Sequence, residues 1–366
     1  MGSKFKKPIN RLYTPGPTPI PQQVIEKMSE PIIYHRSQEF RDIFARVNKN
    51  LQYVFQTKQS VLTLTCSGTG GMEAIIVNLF SAGDTVLSVN GGKFGERWGI
   101  IARTYELNVV EIKIGWGYAV TSEAILEELR KYSDVKGVLL THCETSTGTT
   151  TDVKNISKVI KEYSDALIIV DGISAVGALE FRFDEWKIDA CVTASQKGLM
   201  VPPGLAFVAL SDRAIIACRD SSLPKYYFDF NKSMAALLKN DSPWTPAITL
   251  IKGLDDALHM IVSEKLENVW KRHVHLSGLI WDGLQKLRLK IFSDKPSHAV
   301  TAVYIPEGIT WEKLNATLSN KYNIIVAPGQ GEYFGKIFRV AHIGFCQTEN
   351  VQFLLDALKH TIYDKD

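Results

Sequence analysis

Residues Ala166–Leu210 read ALIIVDGISAVGALEFRFDEWKIDACVTASQKGLMVPPGLAFVAL. Three short apolar runs lie in this stretch, Leu167–Val170, Ala190–Ala194 and Leu205–Leu210, and each reads as a β-strand. A carboxylate, Asp171, closes the first run, and Lys197 follows the second by three residues. Behind Lys197 comes the apolar, turn-rich segment Leu199–Gly204, which contains Pro202 and Pro203.

The same rhythm continues upstream. Strands are predicted at Val61–Thr65, Thr85–Val89, Asn108–Ile114 and Val138–Leu140, separated by predicted helices at Met72–Phe80, Phe94–Tyr105, Ser122–Lys131 and Asn155–Tyr163. Strands alternating with helices at this spacing predict an α/β fold, a mostly parallel seven-stranded sheet wrapped by helices. In such sheets ligands sit outside the carboxyl ends of the strands, which is where Asp171 and Lys197 fall. Downstream of Pro243–Pro246 the alternation stops. A long helical stretch, Thr249–Leu287, precedes short strands near Leu289–Phe292, Val300–Ile305, Ile324–Val326 and Phe338–Ala341, with helices at Trp311–Lys321 and Thr348–Tyr363. This predicts an extended N-terminal arm over residues 1–20, a large domain over 21–248 and a smaller α+β domain over 249–366. The arm follows from Leu12–Pro21, LYTPGPTPIP, whose four prolines forbid a helix.

Composition narrows the function classes. Of 366 residues, 45% are hydrophobic and 22% charged, with a net charge of +3 and no basic stripe, so nucleic acid is not an expected partner. No run reaches membrane-spanning length, and Met1–Asn10 has no apolar core of the kind a secretory signal needs. The C-terminal residues Asp364–Asp366 form no targeting tripeptide. Five cysteines, none in CxxC spacing, read as reduced thiols of a cytoplasmic protein without a zinc site.

Four features carry chemistry. Lys197 is either a solvated loop lysine or, surrounded by Leu199–Gly204, a desolvated amine that attacks carbonyls. Asp171 is either a helix cap or the partner of a pyridinium nitrogen. Ser67-Gly68-Thr69-Gly70-Gly71 lies between a strand and a helix, and is either a plain turn or an anion cradle at a helix N-terminus. Its spacing matches neither the Rossmann nor the Walker pattern. Arg339, in an otherwise apolar strand, is either a structural ion pair or a clamp for a substrate carboxylate.

Taken in order, the motifs resemble the class V aminotransferases, and within them the alanine–glyoxylate, serine–glyoxylate and serine–pyruvate group. The pieces are Pro15-Gly16-Pro17-Thr18, His35-Arg36-Ser37, Ser67–Gly70, Asn90-Gly91 with Phe94-Gly95-Glu96-Arg97, Thr141–Gly148, Val170-Asp171, Ser195-Gln196-Lys197 with Pro202-Pro203-Gly204, and Phe338–Gly344. The resemblance implies a fold-type I transferase dependent on pyridoxal 5′-phosphate (PLP). It implies that Lys197 carries the cofactor as a Schiff base and moves the substrate proton, and that Asp171 pairs with the pyridine nitrogen. Thr69, Gly70 and Gly71, with Gln196 beside them, would hold the phosphate, Thr145 would reach the phenolic oxygen, and Phe94 would stack on the ring. Arg339 would bind the substrate carboxylate and Gly16 would approach the substrate through its backbone. Thr245 would reach the phosphate of a neighbouring subunit, making a homodimer with shared active sites. The implied substrates are a small amino acid and a 2-oxo acid. Phe94 departs from the Trp or Tyr common in the family, and Gly71 stands where many relatives carry His. Relatives using other donors, such as 2-aminoethylphosphonate, ureidoglycine, aspartate or phosphoserine, remain alternatives. Cysteine desulfurase chemistry would need a thiol before Arg339, and Gln330–Lys336 holds none.

Overall fold

A computed structural model describes residues 11–364. The first half of the predicted arm and the last two residues of the chain lie outside the described residues, and with them the readings made on Met1–Asn10 and on the C-terminal tripeptide.

The central sheet has seven strands in the spatial order Val61–Leu64, Ala206–Leu210, Ala190–Ala194, Leu167–Asp171, Val135–Thr141, Thr85–Asn90, Asn108–Lys113. Ala206–Leu210 runs antiparallel to both of its neighbours, and every other adjacent pair is parallel. The reversal has a simple cause. Residues 195–205 join two adjacent strands directly, and a parallel crossover needs a dozen or more residues. The three strands nearest the middle of the chain, Leu167–Asp171, Ala190–Ala194 and Ala206–Leu210, are buried at every position, as strands covered on both faces must be.

The helices of this part are α1 (Gln22–Ser29), α2 (Gln38–Phe55), α3 (Gly68–Leu79), α4 (Lys93–Thr104), α5 (Ser122–Lys131), α6 (Val153–Tyr163), α7 (Asp212–Asp220) and α8 (Phe230–Leu237). Thr121 caps α5 as expected, its side chain accepting from Ala124 N at 3.3 Å. The predicted single helix after Pro246 is two, α9 (Ile248–Glu264) and α10 (Leu266–Lys286), broken at Lys265, whose φ is +70°. Helix α9 packs on α1 and α2 within the core of the large sheet, which extends to Trp270. A second core begins at Leu276 and gathers α10, α11 (Trp311–Tyr322), α12 (Thr348–Tyr363) and a three-stranded sheet of Val300–Tyr304, Ile337–Ala341 and Ala327–Pro328.

The described part of the arm ties the two regions together. Arg11–Leu12 pairs in parallel with Ile324–Ile325, and Tyr13 O accepts from Ala341 N at 2.7 Å. Farther on, Thr18 donates through N to Gln196 O at 3.2 Å and through Oγ1 to Lys197 O at 3.1 Å. Pro15 and Gly16 are thereby laid over the Lys197 side chain. Among the described residues no helix is long and apolar enough to cross a membrane.

Candidate active site

The six parallel strands end on one edge of the sheet, and the exits of five of them converge on one cleft. Ser67, Gly68 and Thr69 follow the first strand, Phe94 follows Thr85–Asn90, Thr145 follows Val135–Thr141, Asp171 closes Leu167–Asp171, and Gln196 and Lys197 follow Ala190–Ala194. This is the crevice the strand alternation pointed to.

Lys197 is buried, at 8% exposure, and its Nζ donates to Pro15 O. Burial pulls its pKa down from 10.5 to about 8. A surface loop lysine would show neither feature, so that alternative does not hold. The backbone of Gly16, at φ +143°, lies against the same amine. A Cβ there would stand 2.5 Å from Nζ and 2.6 Å from Cε. Asp171 is also buried, and its Oδ1 accepts from Ile173 N at 2.8 Å. Burial pushes its carboxyl up to about 7, against the effect of that N–H bond. One backbone bond is little compensation for burying a carboxylate, so the site favours a cation set against Asp171.

The glycine-rich segment is the first turn of α3 rather than a loop before it. The helix cap, Ser67, makes no side-chain capping bond, and Ser67, Gly68 and Thr69 line the cleft, so the positive end of α3 lies at it. Arg97 donates to Thr69 Oγ1 at 2.9 Å, and its guanidinium lies 4.8 Å from the centre of the Phe94 ring. An uncapped helix start beside an arginine suits a phosphate dianion.

Arg339 is 6% exposed. It donates through Nε to Pro328 O and through Nη1 to Thr145 O, both at 2.9 Å. Among the described residues no acidic side chain forms an ion pair with it, so the structural-pair alternative fails. Burial draws its pKa down to about 10. Two backbone carbonyls aim the guanidinium without neutralising it, which leaves a charge for an incoming carboxylate.

Gly70 and Gly71 do not line the cleft. Gly71 N already donates to Ser67 O at 3.2 Å, and a Cβ on Gly71 would stand 2.6 Å from Val192 Cγ2. Gly71 lets α3 approach the sheet, and a Cβ on Gly70 would meet Cys66 at 2.9 Å. Thr245 is exposed and also lies outside the cleft lining. Ser67 and Gly68, of the glycine-rich segment, line the cleft, as do Arg97 and Ser174, to which the sequence reading gave no role. For Arg97 the signal was there, in the quoted Phe-Gly-Glu-Arg motif: three residues on a helix bring Phe94 and Arg97 to one face.

The residues present fit PLP. The uncapped α3 start lies at the cleft, Gln196 Oε1 is buried without a partner, and Gly16 leaves room that a Cβ would take from the lysine.

The fold and the cleft define a fold-type I PLP-dependent transferase. The family comparison is more specific: the chain belongs to the aminotransferase class-V family, whose model matches residues 11–357. It is 38% identical to the soluble hydrogenase small subunit of Synechococcus sp. (strain PCC 6716), across 95% of this chain and 91% of that protein. It is 34% identical to the serine–glyoxylate aminotransferase of Methylorubrum extorquens, across 92% of this chain and 86% of that one. Among solved structures, ureidoglycine–glyoxylate aminotransferase from Bacillus subtilis superposes with a TM-score of 0.93 at 30% identity, over 98% of this chain and 94% of the other. The chain is a transaminase by family.

Proposed function

We propose that this transaminase uses PLP bound through Lys197 to move the amino group of a small amino acid, alanine or serine, to glyoxylate or pyruvate. The observation that carries the reading is a buried lysine and a buried aspartate lining one cleft, at the ends of adjacent parallel strands. When bound, PLP supplies an aldehyde that condenses with amines and a ring that takes up the electron pair left at the substrate's Cα.

The chain's own residues do the rest. Lys197 would hold the cofactor, and its Nζ, when free, would take the proton from the substrate's Cα. A pKa near 8 keeps a useful neutral fraction at neutral pH. Asp171 holds a proton on the ring nitrogen. The α3 start, Thr69, Gln196 and Arg97 hold the phosphate, and the Thr145 hydroxyl reaches the phenolic oxygen. Phe94 covers one ring face, and Arg339 orients the donor's carboxylate. Thr245, exposed on the single chain, serves the partner's phosphate in a homodimer; light scattering should give twice the 40.9 kDa chain mass.

The two aminotransferase relatives share glyoxylate by name and differ in donor. That supports glyoxylate as acceptor and makes the donor the question for assay. The test is glycine formation from glyoxylate with alanine, serine, aspartate and ureidoglycine in parallel. Turnover with alanine or serine supports the proposal. Turnover with aspartate or ureidoglycine alone replaces the donor, and the reading is overturned if none of them yields glycine from glyoxylate and serine yields no alanine from pyruvate.

A further inference from the structure

Helix α4 begins without a cap of its own. Gly92 precedes it and offers no side chain, so the N–H groups of Lys93, Phe94 and Gly95 need acceptors from elsewhere. They find them in one turn after the Val135–Thr141 strand. Glu144 Oε2 accepts from Phe94 N and Gly95 N, both at 2.9 Å. Glu144 Oε1 accepts from Ser146 N at 3.1 Å and from Ser146 Oγ at 2.5 Å. Ser146 Oγ accepts in turn from Lys93 N at 3.1 Å. The seat is close: a Cβ on Gly92 would stand 2.4 Å from Ser146 Oγ and 2.6 Å from Glu144 Cδ.

The same turn has a second attachment. The residue between these two is Thr145, and its carbonyl oxygen is one of the two that aim Arg339. The carboxylate is thus joined on one side to the backbone of Phe94 and on the other, through a single residue, to the guanidinium of Arg339. Helix capping alone would need acceptors for these N–H groups but no link to Arg339.

We propose that Glu144 is a positioning residue of the transamination site, setting the ring-covering Phe94 and the carboxylate-binding Arg339 in register through one buried carboxylate. The inference rests on the proposed function, because it takes Phe94 and Arg339 in the roles given there. Glu144 touches neither substrate nor cofactor in this account; it acts through the groups it holds.

The test uses the PLP-loaded enzyme and two variants, Glu144→Gln and Ser146→Ala. The wild type is measured first: PLP binding and turnover by the wild type keep the proposed function standing, and its failure there is a failure of that reading alone. In Glu144→Gln one of the two oxygens becomes an NH2 donor, so either the Ser146 pair or the Phe94 and Gly95 N–H pair loses its acceptor, and the charge is gone. The expected result is a rise of about tenfold or more in KM for the amino donor, with a weakened circular dichroism of the bound cofactor's visible band. Ser146→Ala, which removes part of the same staple, should move both readouts the same way by a smaller factor. A residue with only a structural role would lower the thermal midpoint and leave KM and the dichroism of the folded holoenzyme unchanged, and that result overturns the inference. If Glu144→Gln does not fold, Ser146→Ala decides alone.

Discussion

Gly16→Ala is a one-methyl change whose effect can be worked from the structure. The new Cβ would lie 2.5 Å from Lys197 Nζ, 2.6 Å from Cε and 2.8 Å from Cδ. An ordinary non-bonded contact is about 3.5 Å, so the amine must retreat by about 1 Å. A lysine tip on a surface would do so freely. Here the side chain is buried and its Nζ is held by Pro15 O, the residue next to the substitution. A displacement of about 1 Å at a reacting group costs on the order of 10²-fold in rate. Backbone strain adds to this, because φ is +143°, and a side chain in such a sparsely populated region costs about 1–3 kcal/mol. Gly308→Ala separates the two effects. It has φ +82° with nothing within 4 Å of the added Cβ, so it should show backbone strain without loss of turnover. The assay is single-turnover conversion of the bound cofactor by the amino donor, with the thermal midpoint measured alongside. Gly16→Ala should fall roughly a hundredfold in rate while retaining its fold. Wild-type turnover in Gly16→Ala would refute the reasoning, since it would mean that the lysine is not confined where the structure puts it.

Three further outcomes are expected. Arg339→Lys should raise KM for the amino donor roughly tenfold to a hundredfold, because an ammonium cannot keep both carbonyl bonds and a bidentate grip on a carboxylate; steady-state kinetics checks it. Asp171 is harder to ionise in the folded cofactor-free protein than in the unfolded chain, so ionising it costs stability as pH rises from about 4 to about 7. Thermal midpoints of cofactor-free wild type should therefore drop across that window relative to Asp171→Asn, and parallel curves would contradict this. Lys197 binds its proton more weakly folded than unfolded, so its contribution rises between pH 8 and 10.5, and Lys197→Met should flatten that limb.

Much of the architecture was legible because burial writes itself into composition. Leu167–Val170 is apolar at each position and Ala190–Ala194 at all but Thr193, and both are strands buried throughout. The glycine segment was misjudged in structure though not in place. Propensity argues against helix at Gly68–Gly71, yet packing against Val192, Ala206 and Ile173 requires residues without side chains there, and the helix starts at Gly68. The long helical stretch after Pro246 hid its break, because Lys265 carries no glycine or proline signal for its positive φ. The short Leu289–Phe292 strand reduces to an isolated bridge between Ile291 and Val303. Within the site, Lys197, Asp171, Thr69, Phe94, Thr145 and Gln196 were readable from motif and strand end, and the cleft lining gathers them. Arg97 and Glu144 sat in quoted motifs, and local spacing places Arg97 beside Phe94, but the Arg97–Thr69 and Glu144–Phe94 bonds span 28 and 50 residues of chain, beyond the reach of local spacing.

The most direct test of the central claim is the absorbance spectrum of the purified protein, wild type and Lys197→Ala, after incubation with PLP and then with L-alanine or L-serine. The wild type should show a band at the visible edge that converts to the pyridoxamine form with the amino acid and returns with glyoxylate, and Lys197→Ala should hold no such covalently attached band. A wild type that stays colourless with PLP, or a Lys197→Ala variant that cycles like the wild type, would contradict the assignment of Lys197 as the residue that carries the cofactor.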